Sequence, residues 1–124
     1  MNTDMINYYK ERAREYERIY LKPERQVDIV KISELLQNMF AEKSVFEIAC
    51  GTGFWTERIA QTAKNILATD INEAVLEIAK NKHYPGQNVK FRLKDVFSLD
   101  DKNNHEALFG GFIWSHIKLQ ESRL

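Results

Sequence analysis

The sequence has one cysteine, Cys50, so no disulfide can close within the chain, and a reducing cytosol is the expected setting. Proline occurs twice and glycine five times, and no internal repeat or low-complexity tract interrupts the chain. Excess charge is also missing: 18 Lys plus Arg stand against 18 Asp plus Glu, so no summed field draws the protein to nucleic acid or to an anionic membrane. The expected partner is therefore a small molecule. Apolar runs extend only a few residues, far short of the roughly 20 needed to span a bilayer as a helix. The start, Met1-Asn2-Thr3-Asp4, is acidic and leads into a charge-rich stretch, unlike a secretory leader, so no export signal is expected. His83 and His105 lie in polar surroundings, and with one cysteine elsewhere no metal-ligand spacing arises.

What is present is periodicity. From Asp4 to Tyr20, Met5, Tyr8, Tyr9, Ala13, Tyr16, Ile19 and Tyr20 recur every three to four residues, the period of one helix face. Pro23 falls where a first helical turn tolerates its missing N–H. Behind it Ile29, Ile32, Leu36 and Met39, flanked by Leu35 and Phe40, predict a second helix ending near Ala41-Glu42-Lys43. The pattern then shortens to the strand formers Val45-Phe46-Glu47-Ile48-Ala49, broken by Gly51 and Gly53, with helix from Thr56 to Thr62. Ile66 to Thr69 predicts a second strand, Glu73 to Asn81 a helix, Tyr84-Pro85-Gly86-Gln87 a turn, Val89 to Leu93 a third strand and Ala107 to Trp114 a fourth. Strands alternating with helices at this spacing predict an α/β domain with a parallel sheet.

The chemistry concentrates at Glu47-Ile48-Ala49-Cys50-Gly51-Thr52-Gly53, where a buried strand gives way to a helix. Residues without a Cβ let the backbone turn sharply and let a ligand approach it. A purely structural tight turn is the competing reading. Asp70 ends the second strand, where its carboxylate can accept from both hydroxyls of an adenosine ribose; alternatively it caps the helix opening at Asp70-Ile71-Asn72-Glu73. Asp95 follows the third strand, so that Glu47, Asp70 and Asp95 would share the rim at the carboxyl ends of the strands; a solvated loop acid is the alternative for Asp95.

Val45 to Gly53, then Ala68-Thr69-Asp70, then Lys94-Asp95-Val96-Phe97 resemble the successive cofactor motifs of class I S-adenosylmethionine-dependent methyltransferases. The likeness extends upstream through Tyr8-Tyr9, Tyr20 and Lys22-Pro23-Glu24-Arg25, similar to the N-terminal helical cover of a small-molecule branch, and downstream to Phe109 through His116. The resemblance implies a Rossmann-like fold with sheet order 3-2-1-4 and helices on both faces. Residues 1–43 would form the cover, and 44–116 the cofactor-binding units of one domain. It implies S-adenosyl-L-methionine or S-adenosyl-L-homocysteine as cofactor. Ala49, Cys50, Gly51 and Gly53 would pass under its methionine part, and Glu47 would steady the loop or reach the methionine amino group through water. Asp70 would hold the ribose, Ile71 would lie against the adenine, Asp95 would accept from the adenine amino group and Val96 would pack beside the ring. Ala49 stands where the family often has the first glycine of the loop, and Glu106 where it usually has Asp.

The family's sheet has seven strands, whereas this sequence runs out after the fourth. An apolar fourth-strand edge, or the surface around Phe109, Phe112 and Trp114, is thus expected to pair in a homo-oligomer, or else the sequence is a fragment of a longer product. For catalysis the candidates are Tyr8, Tyr16 and His116, each able to position or deprotonate an acceptor; against this, the two tyrosines share a face with Met5 and Ile19, as helix-packing residues would, and His116 reads first as a plain loop histidine. Two rivals remain: a non-catalytic binding or assembly module, and a nicotinamide dinucleotide protein. The latter lacks the third glycine of G-x-G-x-x-G, since Thr56 stands three places after Gly53.

Overall fold

Strand β1, Ser44–Ile48, is buried from Val45 onward, as a central strand covered on both faces must be. Strand β2, Asn65–Asp70, pairs with it in parallel and sets Ala68 beside Glu47. Strand β3, Val89–Leu93, continues in parallel beyond β2, and β4, Ala107–Gly110, lies parallel on the other edge of β1. This sheet of order β3-β2-β1-β4 comes from a computed structural model that describes residues 3–93 and 106–110. The order is the one expected. The expected continuation of β4 to Trp114 and the helical cover of the second sheet face lie outside the described residues.

Among the described residues four α-helices accompany the strands: α1, Thr3–Tyr16; α2, Gln26–Met39; α3, Phe54–Ile59; and α4, Glu73–Lys80. One core joins Ile29, Leu36 and Phe40, from α2 and the residue after it, to Phe54, Trp55 and Ile59 of α3, Leu76 of α4, and the strand residues Val45, Ile66, Ala68 and Phe109. Each fully buried aliphatic chain of this kind contributes about 2 kcal/mol of transfer free energy. On the other face Phe46, Ile48 and Leu67 form a second, smaller cluster. Among the described residues no helix is long and apolar enough to cross a membrane.

The N-terminal stretch departs from expectation in two ways. Helix α1 stops at Tyr16, and Arg18–Leu21 forms a tighter 3₁₀ turn instead of continuing to Tyr20. The turn takes Tyr20 off the helix line and lays its ring on Phe54, with centroids 3.9 Å apart and planes 10° from parallel. The apolar stripe packs only in part: Met5, Tyr8, Tyr16 and Ile19 are 45–53% exposed, so the helix-packing reading of Tyr8 and Tyr16 is corrected, while Tyr9, Ala13 and Tyr20 are half-buried. Helix α1 meets α4, and among its described apolar residues Tyr9 and Ala13 of the stripe are the most enclosed. In α2 the expected stripe holds for Ile29, Ile32 and Leu36, while Leu35 and Met39 are exposed.

Candidate functional site

Parallel pairing brings the carboxyl ends of β1 and β2 side by side, and hydrogen bonds lock them there. The Thr69 hydroxyl donates to the Glu47 carbonyl at 2.9 Å, and the Cys50 N–H donates to the Thr69 carbonyl at 2.9 Å. Between β1 and α3 the backbone enters the left-handed region at alternate residues: Ala49 at φ 54°, Gly51 at φ 59° and Gly53 at φ 84°. Two of the three are glycine, which tolerates this conformation; Ala49 carries a Cβ there, at a cost of about 1 kcal/mol.

The tight loop turns the Gly51 N–H toward the next strand, where it donates to Asp70 Oδ2 at 2.9 Å. The other carboxylate oxygen of Asp70 accepts from the Asn72 N–H at 2.8 Å. Asp70 is not the helix cap. That role belongs to Asn72, whose side chain accepts from the Ala74 and Val75 N–H groups. A carboxylate offers about four lone-pair sites, so Asp70 retains acceptor capacity beyond these two bonds.

Beside this loop lies a cavity of about 320 Å³. Ala49, Cys50, Gly51 and Thr52 form its loop wall, and Tyr16, Tyr20, Phe54 and Trp55 supply four aromatic rings. A Cβ built on Gly51 would meet nothing within 4 Å, whereas one on Gly53 would stand 2.7 Å from Tyr84 Oη and 3.1 Å from Ala79 Cβ. The two glycines therefore serve different ends. Gly51 leaves the loop wall bare, and Gly53, expected with the binding residues, is buried in the approach of α3 to α4 and does not line the cavity.

Glu47 also lines the cavity, at 1% exposure, and its Oε1 accepts from the Thr56 hydroxyl at 2.6 Å. Burial pushes its carboxyl up to about 7 from the ordinary 4.5; the Thr56 bond opposes the rise and the negative charge of Asp70 adds to it. Burial also pushes the Cys50 thiol upward, reinforced by Glu47 and Asp70, so this cysteine is an inert wall and not a nucleophile. Phe54 is sandwiched between the Tyr20 ring and the Arg58 guanidinium, which sits 3.6 Å from its centroid. Trp55 meets Tyr20 edge-on at 5.8 Å.

Of the residues singled out by sequence, the structure gathers Glu47, Ala49, Cys50, Gly51 and Tyr16 around the cavity and ties Asp70 to it through Gly51. Ile71 follows Asp70 and is 69% exposed. Tyr8 is not part of the wall and pairs edge-on with Tyr9. Asp95, Val96 and His116 lie outside the described residues. Sequence reading passed over Tyr20, Thr52, Phe54, Trp55 and Val75 as wall residues. Three of these adjoin the glycine turn, a proximity that was itself a usable signal. Among the described residues no group of three potential metal ligands occurs.

Comparison with known proteins follows the same geometry. A family model described as a methyltransferase domain matches residues 45–121. Ribosomal RNA small subunit methyltransferase A of Leuconostoc mesenteroides is 36% identical over 92 residues, which are 74% of this chain and 29% of that protein. Malonyl-(acyl-carrier protein) O-methyltransferase 1 of Ilyobacter polytropus is 29% identical over 75 residues, 57% of this chain and 28% of that protein. The solved DhpI–SAH complex superposes with a TM-score of 0.57 at 25% identity, covering 85% of this chain and 50% of that one. The chain thus spans less than a third of the length of these curated relatives.

Proposed function

Because this chain belongs to the methyltransferase-domain family, we propose that its cavity binds S-adenosylmethionine and that the protein to which this sequence belongs transfers the sulfonium methyl to a small-molecule acceptor. The observation that carries this reading is the Gly51–Asp70 bond, which puts a bare backbone turn and a strand-end carboxylate on one rim beside an aromatic cavity. The residues suit such a ligand. The free lone pairs of Asp70 would accept from the ribose hydroxyls, and Ile71 would lie against the adenine. Asp95, which follows β3 and Lys94 in sequence, would accept from the adenine amino group, with Val96 packed beside the ring. Ala49, Cys50 and Gly51 would run beneath the methionine part, and Glu47 would ionise in the presence of its cationic groups. Gly53 would act from behind, through packing. The aromatic rings favour a cation and exclude water.

When bound, the cofactor would supply an electrophilic methyl carbon on positively charged sulfur, with a neutral thioether as its leaving group. The chain's own part is alignment in a dry site. Tyr16, in the wall and half exposed, is the side chain best placed to face an acceptor; Tyr8 stands apart, and His116 is the remaining candidate. A small acceptor is favoured over RNA by the absence of net charge. We further take residues 1–43 as the cover and 44–116 as the cofactor-binding units, in a cytoplasmic protein.

Calorimetric titration with S-adenosylmethionine, S-adenosylhomocysteine and a nicotinamide dinucleotide, on wild type and Asp70→Ala, tests the reading. Binding of the first two, weakened at least about thirtyfold by loss of the ribose acceptor, is expected, equivalent to about 2 kcal/mol. Heat only with the dinucleotide, or with none, would refute it. The alternative of a non-catalytic assembly module draws support from β4: among the described residues it pairs only with β1, and Leu108 is 54% exposed. That alternative expects concentration-dependent self-association in sedimentation, and a strictly monomeric protein at micromolar concentration would oppose it.

A further inference from the structure

Glu17 joins three segments that are far apart in sequence. Its Oε2 accepts from the Thr52 hydroxyl of the glycine loop at 2.5 Å and from the ammonium of Lys82, just beyond α4. Lys82 in turn reaches Glu57 of α3 at 3.2 Å. The Glu17 and Lys82 side chains are each only 13% exposed, so this is an enclosed charge node and not a solvated surface pair. In such surroundings charge-assisted bonds are strong, and removing one partner strands the other.

The node sits where the N-terminal segment meets the cavity. Tyr16, just before Glu17, and Tyr20, three places after it, both line the wall. Helix α1 meets α4 with Tyr9 and Ala13 half-buried, but none of its described side chains is fully buried, and Met5, Tyr8 and Tyr16 face solvent. The core of α2, α3, α4 and the sheet closes without it. At the end of α1 the enclosed polar bonds are those of Glu17, the residue that follows the helix.

We propose that Glu17 is a positioning residue, a latch that holds residues 3–21 against the glycine loop and so governs how long a ligand stays in the cavity. Docked, it seats Tyr16 in the wall and fixes the Thr52 hydroxyl; released into water, it frees α1 to swing from the mouth. The ligand half of this idea rests on the proposed function above, but the latch itself does not.

Two measurements on the full chain separate them. The first is hydrogen–deuterium exchange of ligand-free wild type, Glu17→Gln, Glu17→Ala and Lys82→Met, comparing amides of α1 with those of β2. The second is the dissociation rate of S-adenosylhomocysteine, followed by tryptophan fluorescence. Expected for Glu17→Ala are faster exchange in α1 with β2 unchanged, and dissociation about tenfold faster, equivalent to about 1.4 kcal/mol. Glu17→Gln keeps an acceptor for Thr52 but loses the charge facing Lys82, so it should fall between. Unchanged exchange in α1, or equal acceleration in α1 and β2 as a general loss of stability would give, overturns the latch. If wild type binds no S-adenosylhomocysteine, the functional reading fails while the exchange data still decide the latch.

Discussion

Glu47 makes the fold sensitive to pH in a direction opposite to that of a salt-bridged carboxylate. Its carboxyl titrates near 4.5 when solvated and at about 7 in the folded chain, because burial at 1% exposure disfavours the charge and Asp70 opposes it further. Below pH 4.5 both folded and unfolded chains hold the proton. Between the two values the folded chain holds it and the unfolded chain has released it, so stability falls as pH rises; above about pH 7 both are ionised and the loss is complete. At about 1.4 kcal/mol for each pH unit crossed, the loss reaches about 3 kcal/mol, a large share of the 5–15 kcal/mol typical of a domain. Urea denaturation of wild type and E47Q at intervals from pH 5 to pH 8 measures it: wild type should lose about 3 kcal/mol relative to E47Q across that range. Thr56→Val removes the 2.6 Å bond that favours the ionised form, and should extend the fall to higher pH. Parallel stability curves for wild type and E47Q would refute the reasoning, since they would mean that Glu47 carries the same proton in both states. A cation in the cavity acts in reverse, favouring the ionised carboxylate, so binding near pH 6 should release protons to the buffer.

The glycine loop gives two further expectations. Gly53→Ala places a Cβ 2.7 Å from Tyr84 Oη, on a buried ring whose hydroxyl already donates to the Ala79 carbonyl, and does so at φ 84°. Strain and overpacking together should cost about 2–4 kcal/mol in thermal or urea unfolding, and a change below about 0.5 kcal/mol would contradict the packing role. Ala49→Gly relieves a left-handed alanine at φ 54° while loosening the unfolded chain, so stability should hold or rise by up to about 1 kcal/mol; a clear destabilisation would show that the Ala49 methyl is needed in the cavity wall.

The sheet was legible because its strands advertise themselves locally. Val45-Phe46 and Ile66-Leu67 are short apolar runs between turn residues, and their alternation with helices leaves a parallel sheet as the economical arrangement. Asp70 was also placed correctly at a strand tip, since strand ends in parallel sheets are fixed points. Its rejected role was decided by where the helix begins: α4 starts at Glu73, so Asn72, directly before it, is the residue whose side chain meets the free N–H groups of Ala74 and Val75, although both residues have the chemistry. Spacing in α1 identified residues sharing a face but could not say that Met5, Tyr8 and Tyr16 on it look outward while Tyr9 and Ala13 are half-buried, because periodicity carries no information about what lies opposite.

The amino-acid sequence alone determined the order of the described elements, the glycine turn and the placing of Glu47 and Asp70 near the strand ends, since each depends on residues within a few places of one another. Tertiary structure alone decided that Glu17 meets Thr52 and Lys82, that Tyr16 and Tyr20 wall a cavity, and that Gly53 serves packing. Those outcomes depend on contacts between segments up to 65 residues apart, whose partners no local pattern names.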